Sequence, residues 1–530
     1  MVQPSALKRK RSEKMINKLV VAASCVGLVA SALAAACDTS NAPVAPPADA
    51  GPADTAAVDG LTGDGSTSVD AGAADAAASD TGVADAPTVT ITREGGTPIA
   101  LKAFGNNYWD WLDWSEEGMN GMTGTEQAVT ALHLNVIRAG GDNNDTSNQV
   151  FYSTDPVLFD NGRIDAFVQY CRTVGAEPIL QVPIVANNED GGATSPQTAA
   201  DIVTYVNVTQ GYGVKYWEIG NEPDLYASQY DAGVAATIQT AAEYCTLYQA
   251  YATAMKAANA QASDGGVAMQ FLGPELSNMY VPGNDWLTPF LDNCKDYVDI
   301  VTVHRYPFSA TQVSPSNALK DVNAFRVLLS NLWTIVNEHA RPGTPLGITE
   351  ANISWDWVPS DYTITSQFAA PNTYYGALWV ADEMGAALEN NLWTLAFWNL
   401  GETAHNSETN VFGFVVGGVP TPEYWTEQMV SANLTGTVLS PANVPGGFSV
   451  YASYNSTKAS TSVIVINKND SVSPLSLAVD TLPPQAFGYP ATSVTLVTIP
   501  DDPTATTHVV TYTPDLAAAP DGGLPPKTLQ

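Results

Sequence analysis

The sequence has 530 residues, which is too long for one small domain and indicates two folded units with additional segments. Hydrophobic residues make up 45% of the chain and include 12 Trp and 22 Tyr. This content is sufficient for a large core. The formal net charge of -33 argues against nucleic acid and anionic membrane surfaces as partners, because both would repel the chain.

The first 37 residues predict an export signal of the lipoprotein type. Six Lys or Arg residues precede an apolar segment at 19–36, which ends in small residues and is followed by Cys37. The end of this segment resembles the bacterial lipobox, although Leu33 lies one position further from the cysteine than usual. We therefore expect lipidation of Cys37 and a membrane-anchored protein at the bacterial cell surface or in the periplasm. Ordinary signal cleavage, with secretion, and an uncleaved anchor are the alternatives.

Residues 38–87 predict a disordered linker. This stretch contains no aromatic residue, no Lys and no Arg, and it consists mainly of Ala, Asp, Pro, Gly, Ser and Thr. Such a composition buries too little apolar surface to offset the conformational entropy that ordering would cost. The linker would hold the folded part of the protein away from a membrane.

Residues 88–433 alternate short β-rich runs with longer helical patterns, which is typical of an α/β protein with a parallel sheet. Eight candidate strands occupy 99–105, 134–140, 177–184, 214–220, 268–274, 299–306, 345–351 and 392–398. Their continuous apolar character fits strands that are buried on both faces. Eight such units predict a (β/α)8 TIM barrel. A doubly wound open sheet is the rival fold, but no G-x-G-x-x-G sequence follows the first strand.

The pattern changes after Trp398. A closing helix is predicted near 421–434, and short strands separated by Gly, Pro, Asn and Asp then continue to residue 516. This spacing is typical of an all-β sandwich, so residues 434–530 are predicted to form a smaller sandwich domain with a tail. The early segment 88–98 is a candidate for pairing with the same sandwich.

Three cysteines, Cys171, Cys245 and Cys294, follow the signal. An oxidising compartment allows one disulfide among them and leaves one thiol unpaired, and the sequence does not decide the pairing. The five histidines have no spacing typical of metal ligands, so neither a metal nor another cofactor is predicted. The Asp- and Asn-rich stretch 140–146 lacks the repeat of a calcium site and is interpreted as a polar loop.

The C-terminal ends of the barrel strands carry the chemistry in TIM-barrel enzymes. The candidate side chains at those ends are Arg138, Asn221, Glu222, His304, Tyr306, Glu350 and Trp398. Glu222 and Glu350 lie at the fourth and seventh strands, so they would face each other across the barrel mouth. Paired carboxylates suit glycoside hydrolysis, in which one donates a proton to the leaving oxygen and the other attacks the anomeric carbon.

Four motifs at these strand ends carry a resemblance to a known group of enzymes. They are "NVIRAGG" at 135–141, "GNEP" at 220–223, "VHRYP" at 303–307 and "GITEA" at 347–351. In this order and at this spacing they resemble the clan A glycoside hydrolases, also called the 4/7 superfamily, over about residues 99–433 and the sandwich that follows. The resemblance implies a retaining O-glycoside hydrolase on a (β/α)8 barrel.

The resemblance also implies individual roles for the polar residues. Glu222 corresponds to the acid/base and Glu350 to the nucleophile of the clan. Asn221 would bind the sugar 2-hydroxyl at the nucleophile's subsite. Arg138 and Tyr306 would keep Glu350 ionised, by charge and by hydroxyl donation.

Two further residues and two departures complete the comparison with the clan. His304 would orient its neighbours and Trp398 would be the platform under the scissile sugar, although both also suit ordinary packing in a barrel. The histidine that several families of the clan place near the end of the third strand is missing here, and Asn187 or Asn188 would replace it. Glu275 follows the fifth strand as a rival carboxylate where the clan has no catalytic glutamate, and we interpret it as a binding or structural residue.

Aromatic residues in the predicted loops above the barrel indicate the kind of substrate. They are Tyr108, Trp109, Trp111, Trp114, Trp355 and Trp357. Sugar rings stack on such faces, and a series of them favours an extended neutral chain. Besides Arg138, Arg305 is the only Lys or Arg at a predicted strand end, so a uronic acid would find few cations. We therefore predict an endo-acting hydrolase of a neutral β-linked polysaccharide, namely a glucan, a xylan or a mannan.

Two alternatives to this carbohydrate-degrading function stay open. An exo-acting glycosidase such as a β-glucuronidase is one, because "EIGNEPDLY" at 218–226 resembles the matching stretch of some glucuronidases of the clan. A non-catalytic surface carbohydrate-binding protein is the other, because a barrel fold does not guarantee activity. The sequence leaves the oligomeric state open.

Overall fold

The structure is a computed structural model that describes residues 86–108, 124–147, 161–185, 194–229, 237–263, 265–277, 285–355, 371–402, 412–519 and 524–529. The predicted export signal with Cys37, and the predicted linker as far as residue 85, lie outside these ranges. The same is true of Trp109, Trp111, Trp114, Trp357, Asn187 and Asn188. Among the described helices, none combines the length and the hydropathy that a membrane span requires.

Eight parallel strands close into a barrel. Numbered in chain order after two N-terminal strands, β1 (Thr88–Ile91) and β2 (Thr97–Pro98), they are β3 (Phe104–Asn107), β4 (Val136–Ala139), β5 (Glu177–Val182), β6 (Tyr216–Ile219), β7 (Gln270–Leu276), β8 (Ile300–Arg305), β9 (Leu346–Ala351) and β10 (Leu395–Phe397). Each strand pairs with the next one in sequence, and β10 closes the barrel against β3. The predicted TIM barrel is confirmed.

Helices cover the outside of this barrel. They are α1 (Glu126–Ala131), α2 (Asp142–Ser147), α3 (Asn161–Val174), α4 (Pro196–Val203), α5 (Tyr226–Gln229), α6 (Ala241–Asn259), α7 (Leu287–Cys294), α8 (Pro315–Ala318), α9 (Asp321–His339), α10 (Tyr374–Glu389), α11 (Pro422–Ser431) and, in the C-terminal domain, α12 (Pro514–Ala517). A π-helical segment (Thr204–Thr209) continues α4, and Pro223–Leu225 form a 3-10 helix. Several helices begin after a Ser or Thr whose side chain accepts a hydrogen bond from a backbone N–H three residues on, as Thr240 does before α6.

The interior of the barrel is layered, and this layering positions the candidate site. The lowest layer is apolar and contains Val136, Ile179, Tyr216, Leu272 and Ile300. Because side chains in a strand point to the same face every second residue, the next inward positions along four of these strands are Arg138, Gln181, Glu218 and Thr302. All four are completely buried, so a polar layer lies directly above the apolar one.

The first barrel strand begins later than the sequence pattern predicts. The apolar run at 99–101 was expected to open this strand, but β3 starts at Phe104. The N–H of Ile99 donates to the carbonyl oxygen of Gly436, and Leu101 is 88% exposed. The run therefore belongs to the connection with the C-terminal domain.

The fifth barrel strand ends later than predicted, which changes the position of Glu275. The predicted strand covers 268–274, yet β7 continues to Leu276. Pro274 pairs with Thr302 and Leu276 pairs with Val303, so Glu275 is the extra residue of a β-bulge. Glu275 thus lies within the strand and not after it, which corrects the prediction.

A two-sheet sandwich follows the barrel, as the fold class predicted. A small sheet of β11 (Gly401–Glu402), β12 (Val415–Val416) and β13 (Val419–Pro420) precedes α11. The sandwich strands are β14 (Thr437–Leu439), β15 (Phe448–Asn455), β16 (Ser460–Asn467), β17 (Ser473–Val479), β18 (Gln485–Tyr489), β19 (Ser493–Pro500), β20 (His508–Tyr512) and β21 (Lys527–Leu529). The larger sheet has the order β2-β14-β15-β16-β19-β20-β21, and the smaller one has the order β1-β17-β18. Both N-terminal strands therefore belong to the sandwich.

Alternating residues of the larger sheet separate two cores. On one face, Tyr451, Ile464 and Leu496 join the hydrophobic core of the barrel. On the other face, Val450 and Val463 pack against the smaller sheet. The sheet is therefore the middle layer between the barrel and the smaller sheet.

The structure decides the disulfide pairing that the sequence left open. Cys245 in α6 and Cys294 at the end of α7 form a disulfide. Cys171 in α3 is a buried free thiol. The bond joins two neighbouring helices on the outside of the barrel.

Candidate active site

The structure brings all seven candidate side chains to the C-terminal end of the barrel. Arg138 lies in β4, Asn221 and Glu222 follow β6, His304 lies in β8, Tyr306 follows β8, Glu350 lies in β9 and Trp398 follows β10. Hydrogen bonds connect Arg138, Asn221, Tyr306 and Glu350 in one group and His304 and Glu222 in another. Nδ1 of His304 lies 3.7 Å from Oε2 of Glu350 and links the two groups. Trp398 borders the same space, because a Cβ atom built at Gly141 would lie 2.9 Å from its Cη2 atom and 3.7 Å from Oε1 of Glu350.

Glu222 and Glu350 form a close pair of carboxyl groups. One oxygen of each lies, together with a ring nitrogen of His304, in a group whose atoms are all within 4.8 Å of one another. The two side chains are 12% and 7% exposed. The pair is therefore close and largely shielded, yet still open to the barrel mouth.

Proton donors contact both oxygens of Glu350. Arg138 donates from Nη1 to Oε1 at 2.7 Å, and the hydroxyl of Tyr306 donates to Oε2 at 2.9 Å. Burial lowers the pKa of Arg138, but the charges of Glu218, Glu350 and Glu275 raise it by more, so the guanidinium stays charged. Burial and the charge of Glu350 raise the pKa of Tyr306 well above its ordinary value, so the hydroxyl stays a donor. These surroundings suit an ionised nucleophile.

Arg138 is fixed by three further acceptors. Its Nε donates to Glu218 at 2.6 Å, its Nη1 also donates to Asn107 at 2.9 Å, and its Nη2 donates to Asn221 at 2.8 Å. The guanidinium is completely buried. Contacts from β3 and from β6 and its C-terminal end therefore hold the group that donates to Glu350.

The backbone turns sharply at Glu222, and this turn directs its carboxyl group into the mouth. Its φ angle is 47°, in the left-handed region that non-glycine residues rarely adopt, and Pro223 then begins a 3-10 helix. Its N–H donates to the carbonyl oxygen of Glu275 at 3.0 Å. Burial and the nearby charge of Asp142 raise the pKa of Glu222 to about 8. Glu222 is therefore protonated at neutral pH, as a general acid requires.

His304 lies between two carboxyl groups. Its Nδ1 is 2.9 Å from Oε1 of Glu222 and its Nε2 is 3.1 Å from Oε2 of Glu275. Burial lowers the pKa of His304, but the charge of Glu350 and the hydrogen bonds to Glu222 and Glu275 raise it well above its ordinary value. His304 therefore contacts the acid/base candidate directly, at the place where the resemblance implies an orienting residue.

The stretch 140–146, predicted as a polar loop, instead enters helix α2 at Asp142, and it supports Asn221, a role that its sequence did not indicate. Asp142 accepts a hydrogen bond from the side chain of Asn221 at 2.7 Å. Asp145 accepts from the N–H of Asn221 at 3.2 Å, from the N–H of Ile184 at 2.7 Å and from the hydroxyl of Tyr226. Asp145 thus joins the ends of β4, β5 and β6. The Asp- and Asn-rich composition directly after Arg138 was the available signal.

Sequence reasoning also missed two polar residues below the carboxyl pair. Glu218 accepts from Arg138, and Gln181 accepts from the N–H of Gly141 at 2.5 Å. Both are completely buried in otherwise apolar strands. A single polar residue on the inward face of a buried strand was the signal that could have identified them.

Two residues assigned to the mouth from the sequence lie elsewhere. Arg305 donates to Glu383 at 3.0 Å and to Asp321 at 2.5 Å, on helices outside the barrel. Tyr108 is 1% exposed and packs edge-on against Phe167, with ring centroids 5.4 Å apart. Tyr108 is therefore a core residue, which corrects its interpretation as a sugar-stacking surface.

One group of described residues has the ligand types and the proximity that a cation would need. It consists of Glu222, His304 and Glu350. A divalent ion there would lie near the positive charge of Arg138, which donates to Glu350, and would require His304 to give up a proton that its carboxyl neighbours favour. The surroundings therefore suit proton transfer and nucleophilic attack better than metal binding.

No protein-family model matches the sequence, and no curated protein is significantly similar to it in sequence. Solved structures are similar in fold. A bifunctional glucanase-xylanase, CelM2, from a metagenome library is 15% identical, with 78% of this chain and 99% of that chain covered and a TM-score of 0.58. A family 51 α-L-arabinofuranosidase from Bifidobacterium longum is 15% identical, with 84% and 95% covered and a TM-score of 0.57. An α-L-arabinofuranosidase from Thermotoga maritima is 16% identical, with 80% and 95% covered and a TM-score of 0.56.

These comparisons establish the fold. The barrel and sandwich of this chain match glycoside hydrolases over nearly the whole length of each similar structure. The resemblance to the clan A glycoside hydrolases is thus confirmed at the level of the fold. At this sequence identity the activity has to be argued from the site itself.

Proposed function

We propose that this protein is a retaining glycoside hydrolase in which Glu222 is the acid/base and Glu350 is the nucleophile. The observation that carries the proposal is the contrast between the two carboxyl groups. Arg138 and Tyr306 donate to both oxygens of Glu350, whereas burial raises the pKa of Glu222 to about 8. A pair whose surroundings favour one ionised and one protonated member has the division of labour that glycoside hydrolysis needs.

The reaction would proceed in two steps. In the first, an oxygen of Glu350 bonds to the anomeric carbon while the glycosidic bond breaks, and the leaving oxygen takes the proton of Glu222. In the second, Glu222 removes a proton from water, whose oxygen bonds to the anomeric carbon and breaks its bond to Glu350. Both residues return to their starting states.

The distance between the carboxyl groups supports retention of configuration. Carboxyl separations of about 5–5.5 Å accompany the double displacement, whereas about 6.5–9.5 Å leaves room for the water of an inverting enzyme. Oxygens of Glu222 and Glu350 lie within 4.8 Å of each other. This distance fits the shorter spacing of the double displacement better than the wider spacing of an inverting enzyme.

The distribution of cations supports a neutral substrate. Arg138 contacts Glu350, and Arg305 is paired with Asp321 and Glu383 outside the barrel. The segments between residues 109 and 411 that lie outside the described ranges contain no Lys or Arg. A uronic acid would therefore find few partners for its carboxylate. This weakens the β-glucuronidase alternative.

An endo-acting enzyme on a neutral β-linked polysaccharide, a glucan, xylan or mannan, fits these features best. Trp398 offers an aromatic face beside Glu350, and Trp355 is partly exposed after β9. Structural neighbours include a glucanase-xylanase and a Paenibacillus polymyxa xyloglucanase, with TM-scores of 0.58 and 0.52. A purely carbohydrate-binding role would not need the acid and nucleophile pairing of Glu222 and Glu350.

The test is a screen of neutral polysaccharides and aryl glycosides, with product sizes read by chromatography and Glu350→Gln protein as the control. We expect oligosaccharide products from a neutral polysaccharide with the wild-type protein and none with the variant. Monosaccharide as the only product, or activity confined to glucuronides, would contradict the endo assignment. Binding without hydrolysis of any glycan would favour the non-catalytic alternative.

We further propose that the protein is exported and anchored by a lipid on Cys37. The disulfide between Cys245 and Cys294 supports an oxidising compartment. Labelling of cells with a radioactive fatty acid should give a labelled protein, and the label should be absent from a Cys37→Ser variant. Equal labelling of the two proteins, or no label in either, would contradict the lipoprotein assignment.

A further inference from the structure

Glu275 lies beside the acid/base candidate and is connected to it by two routes. Its carbonyl oxygen accepts a hydrogen bond from the N–H of Glu222 at 3.0 Å. Its carboxyl group is 3.1 Å from Nε2 of His304, whose Nδ1 is 2.9 Å from Glu222. Glu275, His304 and Glu222 therefore form a continuous line of carboxyl, imidazole and carboxyl groups.

Local backbone irregularities direct the side chains of Glu275 and His304 toward the site. Glu275 is the extra residue of the bulge in β7 and has a φ angle of 57°. The pairing of β8 with β9 also shifts between Val303 and His304. Bulges re-aim side chains next to functional sites, and a left-handed conformation is costly for a residue other than glycine. The contacts around Glu275 hold it in this position.

The carboxyl group of Glu275 is held as a buried anion. It is completely buried, and the hydroxyl groups of Thr302 and Thr349 donate to its two oxygens. Burial raises the pKa of Glu275, but the hydrogen bond from His304 and the charge of Arg138 lower it by more. A fixed negative charge therefore lies on the far side of His304 from Glu222.

Other charged and titratable groups also act on this line. Those that interact with its members are Arg138, Asp142, Glu218, Asp224, Tyr244, Tyr248, Tyr306 and Glu350. The hydrogen bond of Nε2 of His304 is directed to Glu275. Glu275 is therefore the group that acts on that nitrogen most directly.

We propose that Glu275 is a positioning residue that acts through His304 on Glu222, keeping a proton on Nε2 and balancing the positive charge of the imidazolium next to the acid/base. This proposal rests on the function proposed above. It gives Glu275 a role at a position where the clan that this chain resembles has no catalytic glutamate. Glu275 itself would touch neither the substrate nor the reacting atoms.

The charge balance explains how Glu222 can keep a proton beside a cation. An isolated imidazolium 2.9 Å from a carboxyl group would favour its ionised form and reduce its ability to donate a proton. With Glu275 ionised on the other side of the ring, the pair of His304 and Glu275 carries no net charge. The protonated form of Glu222 then remains available for the first step of the reaction.

The test is the Glu275→Gln variant, which keeps the size of the side chain and removes its charge. The imidazole nitrogens of His304 are followed by NMR over pH, with the signals assigned from a His304→Asn variant. We expect His304 in the Glu275→Gln protein to lose its second proton at a pH lower by about one unit or more. An unchanged titration of His304 would overturn the proposal, whether or not the protein is an active enzyme.

The kinetic readout is the pH profile of kcat/KM. Glu222 must be protonated in the free enzyme, so activity of the wild type should fall as the pH rises through about 8. In the Glu275→Gln variant we expect kcat/KM to begin to fall at a lower pH than in the wild type. We also expect the maximum of kcat/KM to be lower by about 10- to 100-fold, which is part of the factor of about 10²–10⁴ that a general acid contributes. A basic limb that stays in place would also overturn the proposal.

The matched control is Glu383→Gln. Glu383 is likewise completely buried and accepts a hydrogen bond from Arg305, but it lies outside the barrel. Its replacement should reduce stability without moving either the titration of His304 or the basic limb. If the wild type hydrolyses no glycoside, the proposed function fails, while the NMR titration still decides whether Glu275 controls His304.

Discussion

Buried glutamates of this chain fall into two electrostatic groups. Glu218 and Glu350 accept hydrogen bonds from the guanidinium of Arg138. Glu423 and Glu427 in α11 are completely buried and form no ion pair with a Lys, Arg or His of the described ranges. Burial raises the pKa of both well above the ordinary value of 4.5, and the charge of Glu427 adds to the effect on Glu423. Glu423 and Glu427 are therefore more stable in their protonated forms.

This arrangement predicts that Glu423→Gln stabilises the protein at alkaline pH. The unfolded chain releases this proton near pH 4.5, whereas the folded protein keeps it to higher pH. The stability from Glu423 is therefore fully present below pH 4.5 and is lost as the pH rises through the folded pKa. Glutamine does not titrate, so the free energy of unfolding at about pH 8 should rise by about 1 kcal/mol or more. Urea unfolding at about pH 4 and about pH 8 measures this.

The control for this prediction is Glu338→Gln. Glu338 lies in α9 with a side chain 67% exposed, so its replacement should have the same small effect at both pH values. If Glu423→Gln destabilises the protein equally at both pH values, the buried carboxyl group is held by hydrogen bonds that glutamine cannot replace. The explanation based on the protonation of Glu423 would then be wrong.

For single residues, the sequence identifies those at the C-terminal ends of barrel strands and misses those that support them by hydrogen bonds. Glu222 and Glu350 could be found because barrel geometry brings strand ends together whatever the loops do. Asp145 could not, because its three acceptor contacts join β4, β5 and β6 only after helix α2 has folded over the strand ends. His304 was ambiguous from sequence until its two carboxyl partners were known.

The turn after β4 brings the backbone close to Trp398, the proposed substrate platform. Gly141 has a φ angle of 102°, and a Cβ atom there would lie 2.9 Å from Cη2 of Trp398. The same atom would lie 3.7 Å from Oε1 of Glu350. Gly141 thus gives Trp398 and Glu350 their present arrangement.

Replacement of Gly141 by Ala is therefore expected to impair activity more than stability. The added methyl group must displace the Trp398 ring, and a misplacement of about 1 Å in a catalytic geometry can reduce rates by about 100-fold. The positive φ angle adds a stability cost of about 1 kcal/mol. The measurements are kcat/KM on the best substrate and the free energy of unfolding.

Gly175→Ala is the matched control for this replacement. Gly175 has a φ angle of 84°, but no atom lies within 4 Å of the position of its added Cβ. The control should lose similar stability and keep its activity. Equal activities of the two variants would show that the position of the Trp398 ring does not depend on the space at Gly141.

The sequence predicts which strands and helices exist better than where they end. The eight barrel strands were recognisable from their apolar runs and the helices between them. Their bounds depend on partners that are distant in sequence, as for Ile99, whose N–H donates to Gly436. A Gly-Pro pair usually indicates a turn, and only the pairing of β7 with β8 shows that the strand continues through Glu275.

The sandwich and the barrel share an interface along α10. The hydroxyl of Tyr451 donates to Asp382 at 2.6 Å, and Nζ of Lys468 is 2.5 Å from the other oxygen of that carboxyl group. A Cβ atom at Gly385 would lie 2.3 Å from the ring of Tyr451, so only glycine fits there. The sequence predicts a sandwich, but strand alternation alone does not tell which face packs on the barrel.

Removal of residues 434–530 is therefore expected to give an insoluble or inactive protein. The deletion would expose the buried surface of α10 and leave Asp382 without Tyr451 and Lys468. Expression of residues 86–433 alone, followed by gel filtration and assay, tests this expectation. A soluble and fully active barrel would contradict the view that the sandwich supports it.

The central claim is that Glu222 and Glu350 act as the acid/base and nucleophile of a retaining glycosidase. Its most direct test is azide rescue of a Glu222→Ala variant on an aryl glycoside with a good leaving group. Such a substrate needs no proton for the first step, and azide replaces the water that Glu222 would activate. We predict faster turnover with azide and a glycosyl azide of the same anomeric configuration as the substrate, with no rescue of Glu350→Gln. A product of inverted configuration from Glu222→Ala, or full activity in Glu350→Gln without azide, would contradict the account.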